Sequence, residues 1–542
     1  MRLLIEKCRY LLPLLALSAC GGGGGTSSPP PVDAPVVISV AAEPAQTRLA
    51  CNRALPNNVC DLRTYQIMVE AFVDGDPAAN FNVGYGTSAH KGDLLGIIQS
   101  LDYIKALGVN AIWLTPIFHS LPIGTPDLAQ SRLDATGYFT SDYFSIDPKF
   151  GTLAQAQTLV DEAHKRGLYV FFDGVFGHHK GNVLASPSGL KPAGGSNPVD
   201  YTQPATLNFY KEVASYWVKT LKIDGWRLDQ AYQVPTSAWS ALGDELARAS
   251  ASVTYTNAQG VMVNPLGYMV AEIWDNEQKI ANTGYGSNSV PVLGSAFDFP
   301  TRYKLVQTLA VEESGLSSRT GSNLNAAFAG YSAYPDHASP NLMLGNHDLV
   351  RFGDLIQRAG LGNPDGADYW LRHKAALSFL AAYSGPITLY YGDEIGQEVP
   401  NYAAKVNSGC ADLGLCDDHV SRSQALIEGV AGGVLNARQS DLKAYVAQLM
   451  QVRAANPALS VGARRHIFSN DSLFVDSKEA GANRVLYVLN TQAGAKTLAV
   501  SASMLGASGA MQDLLSGESV SVNASGQYVL AVPGLTGRLL KY

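Results

Sequence analysis

Four acidic residues stand at the ends of short apolar runs, in settings that could serve bond cleavage. They sit in Phe171-Phe172-Asp173-Gly174-Val175-Phe176-Gly177-His178, Gly225-Trp226-Arg227-Leu228-Asp229, Met269-Val270-Ala271-Glu272-Ile273-Trp274 and Leu344-Gly345-Asn346-His347-Asp348. A carboxylic acid that donates a proton, paired with a carboxylate facing a developing positive charge, can break a glycosidic bond. Crowded carboxylates raise one another's pKa, which keeps the donor protonated near neutral pH. Arg227 precedes Asp229 by two residues, so on a strand both face the same side and the guanidinium can orient that carboxylate and hold it ionised. A single acid after a strand is ordinarily a helix cap or a loop ion pair. Four in order, two of them with histidines nearby, are not.

Such residues need elements that bring them to one place. The patterning predicts strands over 65–69, 111–114, 169–172, 225–228, 268–271, 296–299, 342–344 and 387–391. Between them lie stretches with apolar residues three and four apart, as in 94–107 and 153–166, which predict helices. Eight strand–helix repeats predict an α/β fold, a (β/α)8 TIM barrel over 61–456 whose reactive side chains emerge at the C-terminal ends of the strands. The Gly-, Pro-, Ser- and Asn-rich stretch 177–207 interrupts the third repeat as a small inserted lobe. From 457 to 542 the segments become short and are separated by Gly, Asn and Ser, which predicts a C-terminal antiparallel β-sandwich domain.

The 542 residues are 46% hydrophobic and 16% charged, enough apolar material for a large core, so global disorder is excluded. A formal net charge of −7 argues against a nucleic-acid partner. Residues 1–20 read as an export signal: Arg2, Lys7 and Arg9 are basic, and 11–19 is a short apolar run. Leu17-Ser18-Ala19-Cys20 resembles the bacterial lipobox, which predicts a lipid on Cys20 that anchors the protein to a membrane. Gly21 after the Cys resembles lipoproteins sent to the outer membrane; an ordinary cleaved signal is the alternative. Residues 21–60 then form a flexible linker and N-terminal segment. The uncharged stretch 375–392 is split by Gly385-Pro386 and predicts a buried helix end and a buried strand, not a second membrane segment. Cys51, Cys60, Cys410 and Cys416 allow three disulfide pairings, of which Cys51–Cys60 with Cys410–Cys416 closes short loops and suits an oxidising compartment. Zinc is the rival, without a His at ligand spacing beside either pair.

With these residues in view, the chain resembles the α-amylase family of retaining glycoside hydrolases (family 13) from about residue 61 to 542. Tyr65-Gln66-Ile67 with Phe72-Val73-Asp74-Gly75-Asp76 is similar to the family's first strand and loop. So are Gly92-Asp93-Leu94-Leu95-Gly96-Ile97, Leu107–Pro116, Gly137-Tyr138 with Asp142-Tyr143, and Gly385-Pro386 with Tyr391-Gly392-Asp393-Glu394. The resemblance implies that Asp229 is the nucleophile, Glu272 the general acid and base, and Asp348 the third carboxylate, which binds sugar hydroxyls. It implies that Arg227 orients the nucleophile, that His178 and His347 contact hydroxyls, and that Tyr138 is an aromatic platform under the sugar. Trp274 joins them as a substrate-binding residue. Retaining geometry places the Asp229 and Glu272 carboxyl groups roughly 5–5.5 Å apart.

The chain also departs from the family pattern. Gly177 stands where many members carry a calcium-binding Asn, Thr136 replaces a His, and Gln230-Ala231-Tyr232-Gln233 replaces a Lys-His pair after the nucleophile. These features resemble the neopullulanase and cyclomaltodextrinase branch. Calcium is expected elsewhere, as a structural ion: Asp74, Asp76, Asn80 and Asp93 offer hard oxygens in the first barrel loop. The expected substrate is an α-1,4-linked glucan or maltooligosaccharide, hydrolysed by a monomer. A glucosyl-transferring or α-glucosidase-like enzyme is the nearer alternative, and a non-catalytic glucan-binding lipoprotein the remote one.

Overall fold

The computed structural model describes residues 35–38, 51, 57–81, 87–120, 134–399 and 420–542. Cys20, Cys410 and Cys416 lie outside the described residues. Eight parallel strands carry the architecture: β1 (Arg63–Ile67), β2 (Ala111–Leu114), β3 (Tyr169–Gly174), β4 (Gly225–Leu228), β5 (Tyr268–Ala271), β6 (Ser295–Ala296), β7 (Leu342–Met343) and β8 (Ile387–Tyr390). Their spatial order is β6-β5-β4-β3-β2-β1-β8-β7, and a parallel bridge between Phe297 and Asn341 joins the two ends. The sheet is therefore closed into a (β/α)8 barrel.

Period-two alternation divides the apolar side chains into two cores. Ala111, Trp113, Phe171, Tyr268, Val270, Phe297 and Met343 pack together inside the barrel. Ile112, Leu114, Val170, Phe172, Trp226, Leu228, Met269, Ala271 and Leu389 face the surrounding helices. Those helices include α1 (Leu94–Ala106), α2 (Leu153–Lys165), α3 (Pro204–Leu221), α4 (Thr236–Ser252), α5 (Phe299–Leu309), α6 (Ala367–Ala382) and α7 (Ala437–Ala455). Their starts are set by local chemistry. Asp93 caps α1 by accepting the Gly96 N–H, and Thr152 with Gln155 forms a reciprocal capping box on α2. One expected strand is shortened for the same reason. The stretch 296–299 yields strand only at Ser295–Ala296, because Asp298 accepts the Thr301 N–H and Phe299-Pro300 open α5.

Between Gly177 and α3 the chain forms an irregular lobe, tied by Val199 N–H to the Gly177 carbonyl and His179 N–H to the Ser196 carbonyl. Beyond α7 come β9 (Ala463–Ser469), β10 (Leu473–Ala480), β11 (Asn483–Asn490), β12 (Lys496–Ser501), β13 (Met511–Asp513), β14 (Ser519–Val520), β15 (Gln527–Val532) and β16 (Gly537–Lys541). They form a six-stranded antiparallel sheet, β9-β10-β11-β16-β13-β14, facing a smaller one containing β12 and β15. Helix α6 joins this domain to the barrel through Phe379 against Phe474 and a hydrogen bond between Ser378 and Tyr487.

The N-terminal segment is not linker throughout. Val36–Ile38 pairs in parallel with β12, and Ile38 is buried in the C-terminal domain's core. Three consecutive β-branched residues suit an extended strand, and here they cover an otherwise open sheet edge. Cys51 and Cys60 are disulfide-bonded with Cα atoms 5.7 Å apart. Among the described residues no helix is long and apolar enough to cross a membrane.

Candidate active site

The interior face of each strand continues two residues further into the barrel mouth, and that alternation selects the site. Phe171 is followed on its face by Asp173, Arg227 by Asp229, and Val270 by Glu272. Each strand thus ends on a charged side chain that points inward, where Asp173 and Arg227 are wholly buried and Asp229 and Glu272 nearly so. The carboxylates are gathered around one guanidinium. Arg227 Nη1 donates to Asp173 Oδ1 at 2.8 Å and Asp229 Oδ1 at 3.0 Å, and Nη2 lies 2.7 Å from Glu272 Oε2. The last contact is close but not aligned, since Nη2 makes no hydrogen bond by geometry. Asp173 is further held by Tyr138 Oη at 2.8 Å and Trp113 Nε1 at 3.2 Å. Arg227 therefore has one dedicated structural partner and two partners that face the cavity.

The turn after β4 completes the arrangement. Gln230 adopts a left-handed conformation (φ 39°), which a side-chain-bearing residue enters only at some cost. That turn aims the Gln230 N–H at Glu272 Oε2, 3.0 Å away. Asp229 Oδ2 is buried, takes no hydrogen bond and lies 3.9 Å from His178 Nε2. One oxygen of Asp229 is thus fixed by Arg227 while the other keeps its lone pairs.

Electrostatics separate the carboxylates. Burial, then the Asp229 and Asp348 charges, push the Glu272 carboxyl up to about 7, against the pull of Arg227. Burial also raises Asp229, but Arg227 opposes it through both charge and an aligned hydrogen bond. Both carboxyls are pushed up to about 7, so the pair shares a proton, and the aligned Arg227 bond that Asp229 has and Glu272 lacks favours leaving that proton on Glu272. For Asp348 burial also raises the pKa, but His347, Arg422 and Arg227 outweigh it and hold the carboxyl below its ordinary value. Arg422 Nη2 donates to Asp348 Oδ1 at 2.7 Å and Nε to the His347 carbonyl at 3.0 Å. Burial lowers the pKa of His178, which favours its neutral form.

The cavity above these groups measures about 350 Å³ and is lined by Thr136, Tyr138, Phe139, His178, Asp229, Gln230, Tyr232, Glu272, Trp274, His347, Asp348 and Arg422. Every expected catalytic and substrate-binding residue except Arg227 borders it, and Arg227 lies directly beneath. Tyr138 and His347 stack with an interplanar angle of 6°, and Tyr138 Oη bonds His347 Nε2 at 2.7 Å. Gln66, from β1, reaches His347 Nδ1 at 2.7 Å. Sequence patterning alone does not single out Gln66, Phe139, Tyr232 or Arg422 as site residues. Gln66 is legible in principle as an interior-facing polar residue of a buried strand; Arg422 carries no signal, since it lies in a loop 74 residues from its partner.

Gly177 has a local explanation. A Cβ there would fall 2.3 Å from Gln233 Oε1 and 2.7 Å from Gln233 Cβ. The room a side chain at 177 would need is taken by Gln233, whose amide meets His178 Nδ1 at 3.1 Å and Gln230 Oε1 at 3.0 Å. Here a hydrogen-bonded chain, Gln230–Gln233–His178, braces the histidine.

The first barrel loop treats its four candidate cation ligands differently. Asp93 spends its oxygens on backbone, accepting Gly75 N–H at 2.9 Å, Asp76 N–H at 2.7 Å and Gly96 N–H at 2.7 Å. Asp76 accepts the Ala78 N–H at 3.1 Å. Asp74 and Asn80 do meet, through Asn80 Nδ2 and Asp74 Oδ2 at 3.3 Å, and each keeps a buried oxygen without a hydrogen bond. Among the described residues no three His, Cys, Asp or Glu side chains converge as a metal site.

Residues 66–185 and 195–425 match the family model for the alpha amylase catalytic domain. The chain is 26% identical over 477 residues to a cyclomaltodextrinase of Thermoanaerobacter pseudethanolicus, covering 80% of this chain and 71% of that protein. It is 30% identical over 381 residues to neopullulanase 2 of Thermoactinomyces vulgaris, covering 61% and 56%. The crystal structure of a point variant of AmyP in complex with maltotriose superposes with a TM-score of 0.87 at 56% identity, covering 91% of this chain and 99% of that one.

Proposed function

The chain belongs to the alpha-amylase family of glycoside hydrolases, and we propose that it cleaves α-1,4-glucosidic bonds in starch-derived glucans or maltooligosaccharides with retention at the anomeric carbon. The observation that carries this reading is the division of labour at Arg227. Asp229 Oδ1 is held, Asp229 Oδ2 is unbonded beside the cavity, and the Glu272 carboxyl next to it is raised into the range where it can carry a proton near neutral pH. Asp229 Oδ2 attacks the anomeric carbon while the Glu272 proton passes to the leaving glycosidic oxygen, giving a covalent glucosyl-enzyme. Glu272, now a carboxylate, takes a proton from water as the water oxygen displaces Asp229, and both groups return to their starting states. Asp348, held ionised, binds sugar hydroxyls, and Tyr138, His178 and His347 shape the subsite around the cleaved bond. The named relatives and the maltotriose and maltose complexes of AmyP support the choice of substrate.

The same intermediate can be intercepted by a sugar hydroxyl, so a maltoheptaose time course is the test. With the chain from Gly21 onward, shorter oligosaccharides released first as α-anomers are expected. Products longer than seven units would move the assignment to a transferase, and β-anomers would overturn retention.

The export reading belongs to the same proposal. The lipobox-like Leu17-Ser18-Ala19-Cys20 supports a lipid-anchored protein on a bacterial membrane, working as a monomer on glucans outside the cytoplasm; mass spectrometry of the mature N-terminus reads the lipid directly. A structural Ca²⁺ is proposed in the first barrel loop, where the unbonded oxygens of Asp74 and Asn80 would hold it. Burial, and the Asp74 charge beside it, push the Asp93 carboxyl up, the crowding a cation would relieve. Chelator is expected to lower the melting temperature by about 3 °C or more, restored by Ca²⁺; an unmoved melting curve would remove the ion from the proposal.

A further inference from the structure

The guanidinium on Asp348 comes from far along the chain. Arg422 lies well beyond the end of β8, yet its Nη2 meets Asp348 Oδ1 at 2.7 Å. Three consecutive residues hold that loop in register. Ser421 Oγ donates to the Asn346 carbonyl at 3.2 Å, and the Ser421 carbonyl accepts Tyr390 Oη at 3.0 Å. Arg422 Nε donates to the His347 carbonyl at 3.0 Å. The Ser423 carbonyl accepts Tyr391 Oη at 2.7 Å, and its Oγ accepts from Arg351 Nε at 3.2 Å and Gln397 Nε2 at 3.1 Å. Arg351 is the unusual member of this set. It follows Asp348 by three residues and is buried, and no step of the cleavage uses it. Its guanidinium carbon lies 4.8 Å from the Tyr390 ring centroid and 4.9 Å from that of Tyr391, so two π faces stabilise the buried charge. Nη1 donates to the Tyr391 carbonyl at 2.8 Å. Gly392 (φ 91°) leaves room for it, since a Cβ there would fall 2.7 Å from Nη1. The contacts close a ring: Asp348 leads along the chain to Arg351, Arg351 bonds Ser423, and its neighbour Arg422 returns to Asp348.

We propose that Arg351 is a positioning residue for glycosidic cleavage: braced between Tyr390 and Tyr391, it fixes Ser423 and so sets where the Arg422 guanidinium meets Asp348. The inference rests on the hydrolase reading above. A side chain that contacts a reacting sugar works only when its neighbours hold it to within about 0.5 Å. The clamp also settles a competition, because Arg422 feels the charges of both Asp348 and Glu70. A guanidinium released by its loop can move toward the second carboxylate and leave the first.

Two variants cut the ring at different places. Ser423→Ala removes the hydroxyl that Arg351 Nε reaches and leaves Arg351 between its two rings. Arg351→Lys keeps the positive charge but offers one nitrogen in place of the planar fork. The kcat/KM on maltoheptaose is measured from acid to neutral pH, with melting curves as a check on folding. Each variant is expected to lose about two- to tenfold at pH 7, the span of one or two hydrogen bonds. The double variant should lose no more than the worse single one, because both act through one link. The acid limb should also move up by about one pH unit. Its sign follows from the groups that face Asp348. His347, Arg422 and Arg227 favour the charged carboxylate, the Asp229 and Glu272 charges oppose it, and Tyr138 also faces it. A retreating Arg422 therefore raises the Asp348 carboxyl, and the ionised form is lost at higher pH. Should Arg351→Lys not fold, the acid limb of Ser423→Ala decides alone. Additive losses with an unmoved acid limb, or variants indistinguishable from wild type, would overturn the positioning role and leave the hydrolase reading standing. A wild-type protein that cleaves no maltoheptaose would overturn both.

Discussion

Asp229→Asn is expected to lower kcat on maltoheptaose by roughly four orders of magnitude or more, the scale of losing a covalent nucleophile, with little change in melting temperature. The substitution is isosteric, so the side-chain oxygen facing Arg227 Nη1 can still accept its hydrogen bond. Arg227 keeps Asp173 as its fully buried counter-charge, so the guanidinium is not left unpaired in the core. What disappears is the anionic Oδ2, which takes no hydrogen bond among the described residues. A fluorinated glucosyl probe separates the roles: the wild type should gain the mass of one sugar, and the variant should gain none. A variant retaining more than about 1% of kcat would place the nucleophile elsewhere.

Glu272→Gln is expected to cost about 10²- to 10⁴-fold on maltoheptaose, the range for a general acid, and much less on an aryl maltoside whose phenolate leaves without a proton. Azide, which needs no general base, should then accelerate turnover of the aryl substrate by the variant. The pH dependence follows from the sign of the shift. Burial and the Asp229 and Asp348 charges raise the Glu272 carboxyl to about 7, so the donor is protonated below that pH and lost as pH rises through it. Wild-type kcat/KM should therefore fall on the alkaline side near neutrality, far above an ordinary glutamic acid, and this limb should vanish in the variant. The acid limb marks protonation of the nucleophile; both limbs belong to the coupled pair rather than to either residue alone. Asp348, held below its ordinary pKa, contributes no limb near neutrality. An alkaline limb that survives Glu272→Gln would assign the proton to another group.

Both predictions rest on residues legible in the amino-acid sequence, because strand alternation is a local property. A residue two positions beyond an interior-facing one must face inward, so Arg227 and Asp229 in sequence already imply Arg227 beside Asp229 in space. The eight apolar runs, the barrel they close and the carboxylates at their C-terminal ends follow from the same period and from burial of one face by helices. Element ends are less legible where a cap intervenes: Asp298 bonds the Thr301 N–H and turns the last residues of an apparent strand into the start of α5.

Only the tertiary structure decided the rest. Arg422 on Asp348 and Gln66 on His347 join residues 74 and 281 positions apart, and no local pattern ties such partners together. The fit of Gln233 over Gly177 exists because two loops from different strands converge. In the first barrel loop, four evenly suited oxygen ligands divide because backbone N–H groups claim Asp93 and Asp76 while Asp74 and Asn80 keep unbonded oxygens. The sequence by itself determined which side chains reach the barrel mouth, since periodicity and burial act within a few residues. Which of them share a proton, a guanidinium or a cation depended on approach distances between distant segments, and those are set only when the whole barrel closes.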